Sequence, residues 1–317
     1  MPRKTSPRVA MSPGCAPLLA MYQAAERRRP SRWPEVEREF LQAMWEFDQN
    51  FANGAANQGD NQNGKGDFFT DLIALLLENC SEKILFGRGN VPGLIFPNHA
   101  LDASYPQTGV VEVLIETKVA GAPKTLRNPS QKNPLGRMGS ADLDKRIKET
   151  GLKTIDLKAE WARGAGKGGG PTSDLVTWLR RSRPMSVLFM AIRVVDQNDL
   201  ARTIHFANAA AQMMDAVGLV AYEPNPKRNR YRVLKGPPHL DLDRVLYRVS
   251  LLSKLAGIGT LDSRFLGRLG GPRRVVQMRF PTAAVPITQE PARPGWPAAP
   301  SAGHQTDDRA TPTDPDA

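Results

Sequence analysis

The stretch of sequence that decides the fold is residues 93–124, GLIFPNHALDASYPQTGVVEVLIETKVAGAPK. Its second half, residues 109–119, is rich in Val, Ile and Thr and has no Gly or Pro after its first residue. This composition predicts a β-strand. A shorter apolar run precedes the turn residues 105–107 and predicts another strand. The stretch therefore predicts two neighbouring strands joined by a short turn.

Charged residues interrupt the otherwise apolar second strand. Side chains alternate between the two faces of a strand, so Glu116 and Lys118 share one face and Thr117 points to the other. Asp102 lies fourteen residues before Glu116, at the end of the first apolar run. If the strands pair, Asp102 comes alongside Glu116. Charge in a buried strand is costly unless it is paired or binds a metal, so this grouping predicts a site.

A second acid-x-Lys pattern competes with the first. Asp156 and Lys158 have the same spacing, an acid (Asp142) also lies fourteen residues upstream, and residues 153–160 suggest a further strand. Asp142, however, belongs to the segment SADLDKRIKE, which is typical of an exposed helix, whereas Asp102 follows an apolar strand. We therefore favour the Asp102 set over the Asp156 set.

At these residues the chain resembles the PD-(D/E)XK nuclease superfamily and, within it, the type II restriction endonucleases. The resemblance rests on an acid in one strand and Glu116-Thr117-Lys118 in the next, and it covers about residues 64–124. A preceding helix carries Glu78, where the family often has a further metal-site carboxylate. The chain departs from the family at Leu101, where the motif usually has Pro.

The resemblance implies an α/β fold in which a mixed central β-sheet is flanked by α-helices. It also implies Mg²⁺-dependent hydrolysis of phosphodiester bonds in double-stranded DNA, with Mn²⁺ as a substitute ion. Asp102, Glu116 and the backbone carbonyl of Thr117 would hold the metal, and Lys118 would orient the attacking water. Glu78 would support a second ion or a metal-bound water. Cutting both strands in one encounter needs two sites, so a homodimer is expected.

The distribution of charge favours a polyanionic partner. The net charge is +11, and residues 120–183 alone carry fourteen bases against six acids, directly after the predicted site. A Pro-rich basic loop at residues 120–137 and a Gly-rich basic segment at residues 162–171 suit contacts with phosphates and base edges. The residues predicted to bind DNA are Lys124, Arg127, Asn128, Gln131, Lys132, Asn133, Arg137, Arg163 and Lys167.

Several classes of protein are disfavoured by the sequence. No apolar run approaches the roughly 20 residues of a membrane span, and no signal peptide is evident, so a cytoplasmic location is expected. The only cysteines, Cys15 and Cys80, cannot build a disulfide framework. The segment from Gly59 to Lys65 approaches a phosphate-binding loop, but Gly66 replaces the required Ser or Thr and no strand precedes it.

The pattern along the chain predicts four regions. Residues 1–30 are a basic flexible arm, and residues 31–63 are a helix followed by a flexible linker. The nuclease domain occupies residues 64–256, with a helix from residue 67, a buried strand at 186–195, a helix at 203–217 and another at 243–255. Residues 224–232, PNPKRNRYR, form a basic turn. Residues 257–317 are an extension and a disordered tail.

Two other functions fit the same features. A non-catalytic nucleic-acid-binding protein would use the basic loops without metal-dependent cleavage. A structure-directed DNA repair nuclease would share the site but lack a preference for one sequence. Metal-dependent cleavage would distinguish a nuclease from the non-catalytic binding protein. Cleavage of a random duplex library would distinguish a restriction enzyme from the repair nuclease.

Overall fold

The computed structural model describes residues 16–81, 87–105, 113–124, 136–164, 184–225 and 227–258. The α-helices are α1 (Ala16–Arg27), α2 (Glu37–Ala52), α3 (Gln58–Ser81), α4 (Leu143–Gly164), α5 (Gln197–Met213) and α6 (Leu242–Ile258). The strands are β1 (Gly87–Val91), β2 (His99–Tyr105), β3 (Val113–Ala120), β4 (Met185–Arg193), β5 (Ala216–Asn225) and β6 (Arg230–Leu234).

The strands form one mixed sheet whose spatial order follows the sequence, β1-β2-β3-β4-β5-β6. Strands β1, β2 and β3 are antiparallel neighbours, β3, β4 and β5 are parallel, and β6 returns antiparallel to β5. Parallel neighbours need a crossover, and α4 and α5 provide the two crossovers. The predicted class, an α/β protein with a mixed sheet flanked by helices, is confirmed.

Helices cover both faces of the sheet, so its central strands are buried on both sides. On one face, Val187 and Phe189 of β4 join a hydrophobic core with residues of α1, α2, α3 and α6. On the other face, Leu188, Met190 and Ile192 pack with residues of α4 and α5. This alternation along β4 confirms the buried strand predicted at residues 186–195.

The predicted helix at 203–217 is shifted by its N-terminal cap. Asp196 is the cap and accepts a hydrogen bond from the backbone N–H of Asp199 at 2.8 Å, so α5 begins at Gln197. The helix ends at Met213, and residues 216–217 of the predicted helix belong to β5 instead. The predicted helix at 243–255 is confirmed within α6.

The flexible linker predicted before residue 64 is wrong from residue 58 onward, because α3 begins at Gln58, and only residues 53–57 connect the two helices. The side chain of Asn57 accepts a hydrogen bond from the backbone N–H of Asp60 at 2.9 Å and so acts as an N-cap. Gly64 packs so closely on Phe47 that a Cβ would not fit. The segment looked polar and loop-like because its buried face carries polar residues.

The flexible arm predicted for residues 1–30 is also wrong over its second half. Residues 16–27 form α1, in which Tyr22 and Ala25 are buried against the core of the α2 and α3 face. Residues 1–15 lie outside the described part of the chain, as do residues 259–317 of the predicted tail.

The strand predicted at residues 153–160 is wrong as well, because these residues belong to α4. The buried positions Leu143, Ile147, Thr154 and Leu157 recur at helical spacing and face the sheet. Thr150, Thr154 and Lys158 are also buried on this helix, and their polar or charged side chains hid the helical period from the sequence.

A buried polar network links α2, α3 and β6. The carboxylate of Asp48 accepts hydrogen bonds from Lys65 Nζ at 2.9 Å, Tyr231 Oη at 2.6 Å and Asn61 Nδ2 at 3.2 Å. Arg193 Nε in turn donates to Tyr231 Oη at 3.0 Å. Burial lowers the pKa of Lys65 and raises the pKa of Tyr231 well above its ordinary value. Lys65 is therefore an interior residue, in agreement with the rejection of a phosphate-binding loop.

Within the described residues, no helix is both long enough and apolar enough to span a membrane.

Candidate active site

The candidate site lies where β2 and β3 separate. Their pairing joins Ala103 to Ile115 and continues toward the turn, so Asp102 is the first residue beyond the paired segment. Beyond the paired segment, the side chain of Asp102 contacts β3 directly. Its Oδ2 accepts hydrogen bonds from Thr117 N at 2.8 Å and from Thr117 Oγ1 at 3.2 Å. The predicted pairing of these strands is confirmed, and it fixes the Asp102 carboxylate beside β3.

Three of the predicted catalytic side chains come together there. Lys118 Nζ lies 2.9 Å from Glu116 Oε2 and 4.0 Å from Asp102 Oδ2. Glu116 is nearly inaccessible, with 2% of its side chain exposed, whereas 30% of the Asp102 side chain is exposed. One ammonium group thus bridges a buried carboxylate and a solvent-accessible one.

Lys153 of α4 is a fourth member of the site that the sequence analysis missed. Its Nζ lies 2.7 Å from Glu116 Oε1 and also donates to the carbonyl of Ala100 at 2.8 Å. Both oxygens of Glu116 therefore contact an ammonium group, which compensates the cost of burying its charge. The helical spacing of Leu143, Ile147 and Leu157 would have placed Lys153 on a helix facing β3.

Thr117 points to the opposite face of β3 and connects the site to α3. Its hydroxyl lies 2.6 Å from the hydroxyl of Thr70, which itself donates to the carbonyl of Gly66 at 2.9 Å. The side chain and the N–H of Thr117 are thus engaged by Thr70 and Asp102. Thr117 holds β3 in register between a helix and a neighbouring strand.

Glu78 does not join the two acids as expected. It lies eight residues beyond Thr70 on α3, which corresponds to about 12 Å along the helix axis. No group of three or more His, Cys, Asp or Glu side chains suited to a metal ion occurs among the described residues. The predicted cluster of three acids is therefore wrong, and the site has the two carboxylates of Asp102 and Glu116.

The predicted DNA-binding residues fall into three groups. Lys124 is exposed just beyond β3, and Arg137 pairs through its backbone with Ala122 while its side chain forms an ion pair with Asp142. Arg163 lies in the last turn of α4 and not in a Gly-rich loop, because the helix extends to Gly164. The remaining residues lie outside the described part of the chain: Arg127, Asn128, Gln131, Lys132, Asn133 and Lys167.

Part of the positive charge that follows the site is neutralised by acids from outside residues 120–183. The fully buried Lys158 lies 2.8 Å from Asp215. Lys153 binds Glu116, as described above. The formal excess of bases in residues 120–183 therefore overstates the charge that this region presents to a partner.

The competing pair, Asp156 and Lys158, does not build a site of its own. Asp156 accepts hydrogen bonds from the backbone N–H of Ile95 at 2.7 Å and of Phe96 at 3.1 Å, and from His99 Nε2 at 2.7 Å. Burial acts to raise the pKa of Asp156, but these hydrogen bonds outweigh it and lower the pKa. Asp156 anchors the loop before β2, and His99 serves as one of its hydrogen-bonding partners.

Comparison with known proteins identifies no relative, since no family model, curated protein or solved structure matches this chain.

Proposed function

We propose that this protein is a Mg²⁺-dependent endonuclease that hydrolyses phosphodiester bonds of double-stranded DNA, as a type II restriction enzyme. The observation that carries the proposal is the contact of Lys118 with both Asp102 and Glu116. Two acids and a lysine at this spacing are what the resemblance to the PD-(D/E)XK nucleases implies, and here they lie on adjacent strands within one group of contacts.

The donor set fits a hard divalent cation. Mg²⁺ is commonly held by one or two carboxylates and completes its shell with water and substrate phosphate. Asp102 and Glu116 would supply the carboxylates, and each carboxylate has lone pairs beyond those that its present hydrogen bonds use. The Thr117 carbonyl is the third ligand that the resemblance implies. The bound ion would supply an activated water and neutralise charge on the phosphate.

The residues of the chain position this chemistry. The N–H and hydroxyl of Thr117 fix the orientation of Asp102, and Lys153 fixes one oxygen of Glu116. The ammonium of Lys118 has three donors and uses one of them on Glu116. Its other donors can orient a water and stabilise negative charge as it develops on the phosphate.

Digestion of long duplex DNA tests the proposed function. We expect cleavage with Mg²⁺ or Mn²⁺ and none with excess chelator. Discrete bands would support a sequence-specific enzyme, whereas even cleavage of a random duplex library would favour the repair nuclease. Metal-dependent binding without any cleavage would favour the non-catalytic protein, and efficient cutting in excess chelator would contradict the proposed mechanism.

Two further proposals depend on this function. Cleavage of both strands in a single encounter requires two sites, so we propose that the active form is a homodimer. Cleavage of cellular or invading DNA also fits the cytoplasmic location expected from the sequence. Light scattering of the purified chain, alone and with duplex, would measure the oligomeric state.

Lys153→Met is expected to reduce the rate constant of cleavage by about 10- to 100-fold, because loss of a group that orients a metal ligand has effects of this size. The Michaelis constant for DNA should change little, since Lys153 contacts Glu116 and Ala100 within the protein. Steady-state kinetics would measure both constants. Lys153→Arg, which keeps the charge, should recover part of the rate.

Lys148→Met is the matched control for this prediction. Lys148 lies on the same helix but is exposed and pairs with Asp144. Its loss should leave the cleavage rate unchanged. Equal rates for Lys153→Met and the unsubstituted protein would show that Lys153 does not position Glu116.

A further inference from the structure

The hairpin of β5 and β6 ends in an exposed cationic turn, residues 227–230, which we call the basic tip. Lys227, Arg228 and Arg230 are all exposed. None of them has a carboxylate within ion-pair distance in the part of the chain that the structure describes. Arg232, on the stem below, is instead paired with Glu223. The positive charge of the hairpin is therefore concentrated at its tip.

The basic tip is hydrogen-bonded to the end of β5 and is followed by a residue of the buried core. The side chain of Asn225 accepts from Lys227 N at 3.0 Å, and its carbonyl accepts from Arg228 N at 3.1 Å. The next stem residue, Tyr231, is buried, donates to Asp48 and packs edge-on against Trp45 with ring centroids 5.2 Å apart. Because these hydrogen bonds already order the backbone of the turn, binding a partner would have to immobilise only the cationic side chains.

The sheet topology places the basic tip at the same edge as the end of β3. Strands β3, β4 and β5 are parallel, and the register aligns Ala120 with Ile192 and Ile192 with Ala221. Asn225 lies four residues beyond Ala221, so β5 extends about 13 Å past this level. The exposed Lys124 follows β3 at this edge. Three strand spacings, about 14 Å, separate β3 from β6.

We propose that the basic tip binds the phosphates of duplex DNA and, together with Lys124, holds the duplex across this edge of the sheet. The inference rests on the proposed function of the candidate site. A duplex carries about one negative charge per 1.7 Å of its axis, which complements cations that lack acidic partners. Lys124 and the basic tip both lie beyond the carboxyl ends of parallel strands of one sheet, so the backbone of a duplex laid across this edge would contact both sets of cations.

The test compares full-length proteins in duplex binding at several salt concentrations, measured by fluorescence anisotropy in the presence of chelator. The variant K227Q/R228Q/R230Q removes the charge of the basic tip. The control K235Q/R244Q/R248Q removes the same charge from exposed side chains elsewhere. Lys235 directly follows the far end of β6, five residues and about 17 Å from Arg230. A single strand of the same length serves as the second ligand.

Loss of the basic tip should lower the slope of log binding constant against log salt by about two to three units, since each phosphate contact contributes about 0.9. The preference for duplex over single strand should also fall, and the control should change neither quantity. Equal slopes for the tip variant and the unsubstituted protein, equal losses in the control, or no duplex binding at all would overturn the inference. Duplex binding with these slopes but no cleavage in Mg²⁺ would instead reject the nuclease and leave the duplex contact standing.

Discussion

Glu116→Ala is expected to reduce cleavage of duplex DNA by about 10³-fold or more, because Glu116 is a proposed metal ligand and the group that Lys118 and Lys153 both contact. The fold should survive the change. The two ammonium groups that lose their partner are each about one-fifth exposed and can be solvated after small movements. Lys118→Ala should give a loss of similar size, since it removes the charge that faces the phosphate. Single-turnover cleavage and thermal denaturation would measure the two effects separately.

The choice of control for this experiment follows from the structure. Asp156 and Lys158, the competing pair, are unsuitable as controls because both are buried and paired, so their loss should destabilise the chain. Glu149 is a better control because it lies exposed on α4. Glu149→Ala should cleave at the unsubstituted rate. A Glu116→Ala protein that still cuts DNA at that rate would place the chemistry elsewhere.

Asp48→Ala should have the largest effect on stability, a loss of about 3–5 kcal/mol in the free energy of unfolding. Asp48 is completely buried, and its carboxylate accepts hydrogen bonds from Lys65 and Tyr231. Its removal leaves the ammonium of Lys65 in the interior without a counter-charge, and Arg193 loses a carboxylate 4.0 Å away. Urea denaturation followed by circular dichroism would measure the change.

The double variant D48L/K65M separates this explanation from a simple loss of packing. Because it removes both charges, it should be clearly more stable than Asp48→Ala alone. Asp144→Ala, at an exposed pair with Lys148, should change stability by about 0.5 kcal/mol or less. If the double variant is as unstable as the single one, an uncompensated Lys65 is not the cause.

The part of the site that the sequence could predict depends on the two-residue period of a strand. Glu116 and Lys118 stand out because they interrupt a run of apolar residues in β3, and Asp102 is placed by a short connection between neighbouring strands. No tertiary information is needed for either step. The buried strand β4 was predicted from a different local signal, a continuous run of residues that are apolar on both faces.

The residues that the sequence could not place are polar ones buried by distant partners. Asn61 and Lys65 belong to a segment whose sequence resembles a linker. Their hydrogen-bond acceptors, Asp48 and the carbonyl of Gly121, lie in other parts of the fold. Lys153 was hidden for a related reason, since Thr154 and Lys158 on the same helix are buried yet polar. The local pattern of hydrophobic residues does not reveal that such positions are buried.

Two hydrogen bonds link α3 to β3, the strand that carries the candidate site, and to the residue that follows it. These links affect how a mutational screen would be interpreted. Lys65 donates to the carbonyl of Gly121 at 2.7 Å, and Thr70 contacts the hydroxyl of Thr117. A substitution at Asp48 would release Lys65 and could shift β3 without unfolding every molecule. A screen scored only by cleavage would therefore count Asp48 among the active-site residues. Scoring the abundance of folded protein in parallel would assign it correctly to the support of the strand.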